Sequence, residues 1–254
     1  MSLTLITDPW FYIIAAPALV LIGISKAGFG SGLGIFAVPM MALIVPAFQA
    51  AAIVLPILCI MDAIGVWAYR RHWDGKNLYY MIPGAAIGIV IATAFVNKLT
   101  PEHIALLIGI IAVVFSVRYF LVDLEKPPAK RHALKGLLWA GLSGFTSFLA
   151  HAGSPPVNVY LLPQRLNKTI FVGTTVFFFA SVNYMKLVPY GWLGQFSAEN
   201  LGTSLVLAPI APLAMWLGLK VHGHIGGAWF YKLCYGILIV VGVKLIGDGL
   251  ALWG

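Results

Sequence analysis

The sequence predicts an all-α polytopic membrane protein built from two inverted-topology repeats of about five helical segments each, with a short broken or re-entrant helix in each half. Three observations predict it. Of 254 residues, 61% are hydrophobic and 9% charged, with a mean hydropathy of +0.94. A soluble domain carries roughly a quarter charged residues, because its surface faces water. Here 16 Lys+Arg and 8 Asp+Glu are too few to solvate a surface, so the outer face must meet lipid. At about 20 residues per span, the chain holds roughly eight to ten membrane segments. The second observation is a one-sided distribution of basic residues, and the third an echo between the two halves.

Apolar runs separated by charge, Gly or Pro fall at 10–25, 33–46, 48–69, 78–97 and 102–121 in the first half, and at 134–150, 154–163, 168–189, 199–219 and 226–252 in the second. The segments 33–46 and 154–163 are too short to cross roughly 30 Å of hydrocarbon alone. The first run lacks a preceding basic region and is expected to be a retained span. Cys59 and Cys234 lie in apolar stretches and are expected to be packing residues rather than a disulfide.

Placing the basic residues on this ladder puts Arg70, Arg71, Lys76, Arg118, Lys126, Lys130, Arg131, Lys135, Arg165, Lys168 and Lys220 on one side, and Lys98 on the other. The basic side is therefore expected to be cytoplasmic, with both termini outside. The net charge of +8 follows from this pattern and does not signal nucleic acid. The organisation predicted is a first transmembrane repeat over 1–121, a basic cytoplasmic linker over 122–133 containing Lys126-Pro127-Pro128, and a second transmembrane repeat over 134–254.

The halves share an order of elements. Gly23–Gly30 is echoed by Gly141–Ser147, Gly34 has a counterpart in Gly153, and Asn77-Leu78 and Asn200-Leu201 each open a later helix. Five segments is an odd number, so the second half enters from the opposite side, a plan shared by many secondary transporters.

Two Gly-rich breaks carry the chemistry: K-A-G-F-G-S-G-L-G over Lys26–Gly34, with Gly28, Gly30, Ser31 and Gly32, and G-L-S-G-F-T-S-F-L-A-H-A-G-S-P-P over Gly141–Pro156. Unwound backbone at membrane depth persists only inside protein or beside a wet cavity. A short helix after each break directs its free N–H groups at that cavity and makes it suited to an anion. Pro155-Pro156 fits the first turn of such a helix. The competing reading is that the glycines serve only close helix packing.

Ionisable residues inside apolar segments are costly and usually have a task. Lys26 and Lys186 are expected to offset an anion's charge, and Asn183 to give it a hydrogen bond. Ser31, Ser147 and Ser154 are further donors, and Asp62 and His151 are candidates to carry a coupling proton. Asp62 is equally suited to be a structural partner of a lysine, Lys186 to reach an interface, and His151 to bond a backbone carbonyl. Lys232 and Lys244 are expected to snorkel. No cofactor or metal is expected, because eight acidic residues lying mostly in loops make no cluster. No P-loop is present.

Gly-x-Ser-Gly at 141–144 suggests an intramembrane serine protease with Ser143 as nucleophile, which needs a histidine on a neighbouring helix. His222 and His224 fall in a cytoplasmic-side loop instead, and the motif belongs to the repeat. An anion channel is the other alternative.

The order of these elements resembles the sulfite exporter TauE/SafE family of membrane permeases. The residues that carry the resemblance are Lys26–Gly34, Gly141–Pro156, and Asn183-x-x-Lys186 after Phe177-Phe178-Phe179. The resemblance covers essentially the whole chain. It implies transport of sulfite, an organosulfonate or a related small organic anion across a bacterial inner membrane, and not an enzyme. It implies roles in binding for Lys26, Gly28, Gly30, Gly32, Gly34, Gly144, Gly153, Pro155, Asn183 and Lys186. His151 departs from it, standing where a glycine or other small residue is expected.

Overall fold

Several of the helices begin where the sequence supplies a side-chain acceptor for their orphan N–H groups. In the computed structural model, which describes residues 4–30, 34–98, 100–121, 128–222, 236, 239–240 and 242–250, α1 (Pro9–Phe29) starts at Asp8, whose carboxylate accepts from the Trp10 N–H. It is followed by the short α2 (Gly34–Met41) and by α3 (Ala47–Tyr69). Asp74 accepts from the Lys76 and Asn77 N–H groups and starts α4 (Gly75–Phe95), and α5 spans Pro101–Leu121. His132 caps α6 (Ala133–Ala150), and the short α7 (Ser154–Leu161) carries prolines in its first turn. Asn167 caps α8 (Lys168–Trp192), and Ser197 caps α9 (Ala198–Leu207), which leads to α10 (Ile210–His222).

Among the described residues, five helices are long and apolar enough to cross a membrane: α1, α3, α4, α6 and α8. The count is six if α9 and α10, bent by 43°, form one span. Sequence reading treats 199–219 as one continuous segment, and the structure corrects this. Pro209 follows the α9 cap residue Ala208; a proline lacks the N–H needed for a helical bond and its ring crowds the preceding turn, so the helix breaks there. Outward faces carry large exposed apolar side chains, including Ile87, Val90, Leu138, Val188 and Leu205, as lipid contact requires. The segment 226–252 falls mostly outside the described residues, as do Lys232, Cys234 and 122–127 of the linker.

Helix directions follow from the contacts. Ile6, just before α1, donates to Thr203 of α9, and Gln49 near the start of α3 donates to Asn200. At the other end the Tyr69 hydroxyl donates to the Ala27 carbonyl (2.5 Å). Therefore α1 and α3 run parallel, and the break, α2 and the turn after it bring the chain back between them. Likewise Arg131 and Thr174 both bond Asp74 at the starts of α6 and α8, and the Tyr190 hydroxyl donates to the Phe148 carbonyl near their ends. At 8 residues each, α2 and α7 are only about 12 Å long. They cannot cross alone, as sequence length indicated.

Glycines set the closest approaches. A Cβ on Gly88 would stand 1.9 Å from the Gly141 carbonyl, and one on Gly84 2.2 Å from that of Leu137, so α4 and α6 touch backbone to backbone, running parallel. In the same way Gly23 abuts Ala214, and Gly28 abuts Gly218, between α1 and α10. Without a hydrophobic drive between helices in lipid, such contact area is what holds them together. By contrast α3 and α8 are antiparallel: Asp62 meets Asn183, and Gly65 meets Val176.

Candidate anion site at the two helix breaks

Both breaks begin with the same backbone event. α1 ends at Gly30, at φ 76° and ψ 36°, and α6 ends at His151, at φ 53° and ψ 23°. Both are left-handed caps, a conformation natural to glycine and costly for a side chain. In α1, Gly30 fits also because a Cβ would meet the Thr175 hydroxyl at 2.6 Å. In α6, a histidine occupies this position despite the cost, and its ring shows what it is used for.

The ring bridges two helices. His151 Nε2 lies 2.9 Å from the Ala51 carbonyl of α3, which can only accept, so Nε2 carries the hydrogen. The other nitrogen, Nδ1, lies 2.7 Å from Lys186 Nζ of α8 and accepts from it. Lys186 Nζ also donates to the Ser147 carbonyl and hydroxyl oxygen, each at 3.1 Å. Three acceptors surround a group with three hydrogens to give, the arrangement of an ammonium. Lys186 is fully buried, and among the described residues no carboxylate pairs with it.

Lys26 is different. Its ammonium lies 2.6 Å from Asp62 Oδ1, and Asn183 Nδ2 donates to Asp62 Oδ2 at 2.7 Å. Both charges are buried. Of the alternatives open for Asp62, the structure displays the lysine partner. Between these groups lies a cavity of about 30 Å³, lined by Lys26, Ser147, His151, Ser154 and Asn183 on a polar side and by Ile22, Leu58 and Phe179 on an apolar one. At about 10–15 Å³ per water, it has room for a few waters or one compact oxyanion. Lys186 stands behind its wall, immediately beyond Ser147 and His151.

Thus the structure brings together Lys26, Asp62, Ser147, His151, Ser154, Asn183 and Lys186. It does not bring every predicted residue there. Gly28 packs against Gly218, and its carbonyl meets His222 Nδ1 at 2.7 Å. Gly30 faces α8, Gly144 faces Ala85 of α4, and Gly153 accepts from the Ser143 hydroxyl at 2.7 Å. Gly34 opens α2 and Pro155 sits in the first turn of α7. Ser31 and Gly32 lie outside the described residues. Ser143, bonded to a carbonyl and fully buried, braces the second break and is not arranged as a nucleophile. Lys244 is exposed and pairs with Asp248 at 2.6 Å.

Sequence reasoning missed the apolar wall of Ile22, Leu58 and Phe179, which looks like any other apolar position. It also missed Tyr69 and Tyr190, which tie the ends of α3 and α8 to Ala27 and Phe148. A signal existed for these two. Tyr69 and Tyr190 are separated by the same 121 residues as Asp62 and Asn183, and so are Ala27 and Phe148, Lys26 and Ser147, and Gly30 and His151.

The family model described as sulfite exporter TauE/SafE matches residues 15–245. No curated protein and no solved structure matches.

Proposed function

The chain belongs to the sulfite exporter TauE/SafE family of multi-pass membrane transporters, and from that premise we propose that it is a secondary carrier moving sulfite, an organosulfonate or a related small organic anion by alternating access. The observation that carries this reading is the buried Lys186 ammonium, which has three hydrogen-bond acceptors and, among the described residues, no paired carboxylate, beside a cavity of about 30 Å³ between two helix breaks. An ammonium withdrawn from water without a paired carboxylate is expensive, and a transported anion would supply the missing charge. The Ser147 and Ser154 hydroxyls and the second amide hydrogen of Asn183 give the sulfur-bound oxygens hydrogen-bond donors, while Ile22, Leu58 and Phe179 offer a face to a short organic tail.

The alternating-access part rests on the two-fold plan. We read residues 1–121 and 134–254 as inverted repeats joined by the basic linker 122–133. The antiparallel α3 and α8, the parallel pairs α1–α10 and α4–α6, and the matched left-handed caps support that reading. Inverted repeats let one half rock against the other around a shared site. With the basic loops cytoplasmic, both termini would be periplasmic in a bacterial inner membrane.

Proteoliposome flux tests the proposal. Uptake of labelled sulfite or methanesulfonate is expected to saturate with concentration and to fall at least about tenfold in Lys186→Met. Flux that rises linearly, together with a measurable single-pore conductance, would instead establish the anion channel. Equal uptake by Lys186→Met and the unaltered protein would remove this site from the pathway.

A further inference from the structure

Three buried charges surround the cavity: Lys26, Asp62 and Lys186. Lys26 and Asp62 cancel as an ion pair. His151 is a neutral ring, since Nε2 donates to Ala51 and Nδ1 accepts from Lys186. Cys59, one turn before Asp62 in α3, adds a thiol. Among the described residues the balance is a single positive charge. We propose that the site therefore takes its substrate as a monoanion; this deepens the carrier reading and rests on it.

The argument is one of charge matching in a medium of low dielectric. One negative charge brought beside Lys186 leaves the loaded cavity neutral. A second would face Asp62 and add an uncompensated buried charge, which is costly where water is excluded. A sulfonate, with one negative charge at neutral pH, meets the requirement as it is. Sulfite meets it only as hydrogensulfite, with one proton attached. The proton that crosses with sulfite then travels on the substrate itself. Neither Asp62, already ion-paired and hydrogen-bonded, nor His151 has to release or take up one.

The contrast with a dianion is also legible in the polar groups. Lys26 and Asn183 both face the cavity, but each is engaged with Asp62. Freeing them for a second negative charge would leave the Asp62 carboxylate buried without its partners.

The test uses the full chain purified in detergent. Binding of methanesulfonate and sulfate, two tetrahedral ions of similar size that differ by one charge, is measured at fixed pH and ionic strength by calorimetry and thermal shift. Isethionate and sulfoacetate serve as a second monoanion–dianion pair. The unaltered protein is expected to prefer the monoanion of each pair by at least about tenfold. Asp62→Asn raises the charge balance by one and is expected to narrow that ratio at least about tenfold or to reverse it. Because Asp62→Asn leaves Lys26 unpaired and could harm folding, the double variant Lys26→Met with Asp62→Asn restores a balance of one. In it binding weakens, yet the preference for monoanions returns. Equal affinity for sulfate and methanesulfonate in the unaltered protein overturns the inference and leaves the carrier reading standing. So does a double variant that binds anions but has lost the preference. If none of the four anions binds, the carrier reading falls and takes the inference with it.

Discussion

At the scale of single residues, His151 carries two separable costs. Its backbone is left-handed at φ 53°, which costs a side-chain-bearing residue roughly 1–2 kcal/mol. Its ring joins Ala51 of α3 to Lys186 of α8. Comparing two truncations separates them. Both His151→Ala and His151→Gly lose the ring and are expected to lose anion-induced stabilisation to the same degree. The glycine variant alone is free of backbone strain and is expected to be about 1 kcal/mol more stable than the alanine one. Equal melting temperatures for the two would show that the left-handed cap costs nothing. The sequence showed that Lys26, Asp62, His151, Asn183 and Lys186 are unusual, because each is polar in an apolar run. It did not show which lysine is neutralised: the Lys26–Asp62 pairing depends on the axial register of α1 against α3, which hydropathy leaves open.

At the scale of elements, the long helices, the two short ones and the breaks between them were legible, because caps, glycines and segment lengths act locally. The division of 199–219 was not. After Glu199 no charge interrupts it before Lys220, and proline inside other helices here, such as Pro56 in α3 and Pro83 in α4, leaves them continuous. The contact between α4 and α6 was equally hidden, since a glycine that admits a neighbour looks like one that admits a bend. It yields a direct prediction. Gly88→Ala would drive a methyl group into the Gly141 carbonyl, and backbone cannot rotate aside as a side chain can. A loss of about 1–3 kcal/mol is expected, read as a lower melting temperature in detergent. Gly191→Ala is the control: the nearest atom to its Cβ position is 4.0 Å away, and a change within about 0.5 kcal/mol is expected. If both variants behave alike, the close approach of α4 and α6 does not hold the molecule together.

At the scale of the whole molecule, sequence reading sets Gly23 beside Gly141 in its echo of the halves, and contacts in the structure suggest a different offset. Matching Gly23 to Gly141 is natural for glycine-rich strings, in which many offsets score alike. If the halves are the inverted repeats proposed above, the 121-residue separation of Asp62 and Asn183 matches Gly23 to Gly144. It pairs Lys26 with Ser147 and Asp62 with Asn183, so the charge of one half faces a neutral group in the other. The ammonium of Lys186 has no such counterpart: 121 residues before it stands Gly65. This asymmetry has a kinetic consequence. A carrier that closes around nothing must enclose the lone positive charge of Lys186 unmatched, whereas one that closes around an anion does not. The empty form is then the slow one to reorient, and return of the carrier limits one-way flow. Trading an anion on one face for an anion on the other is expected to outpace net efflux from loaded vesicles by about tenfold or more. Lys186→Met should erase the difference between the two rates, and equal rates in the unaltered protein would show that its empty form turns over unhindered.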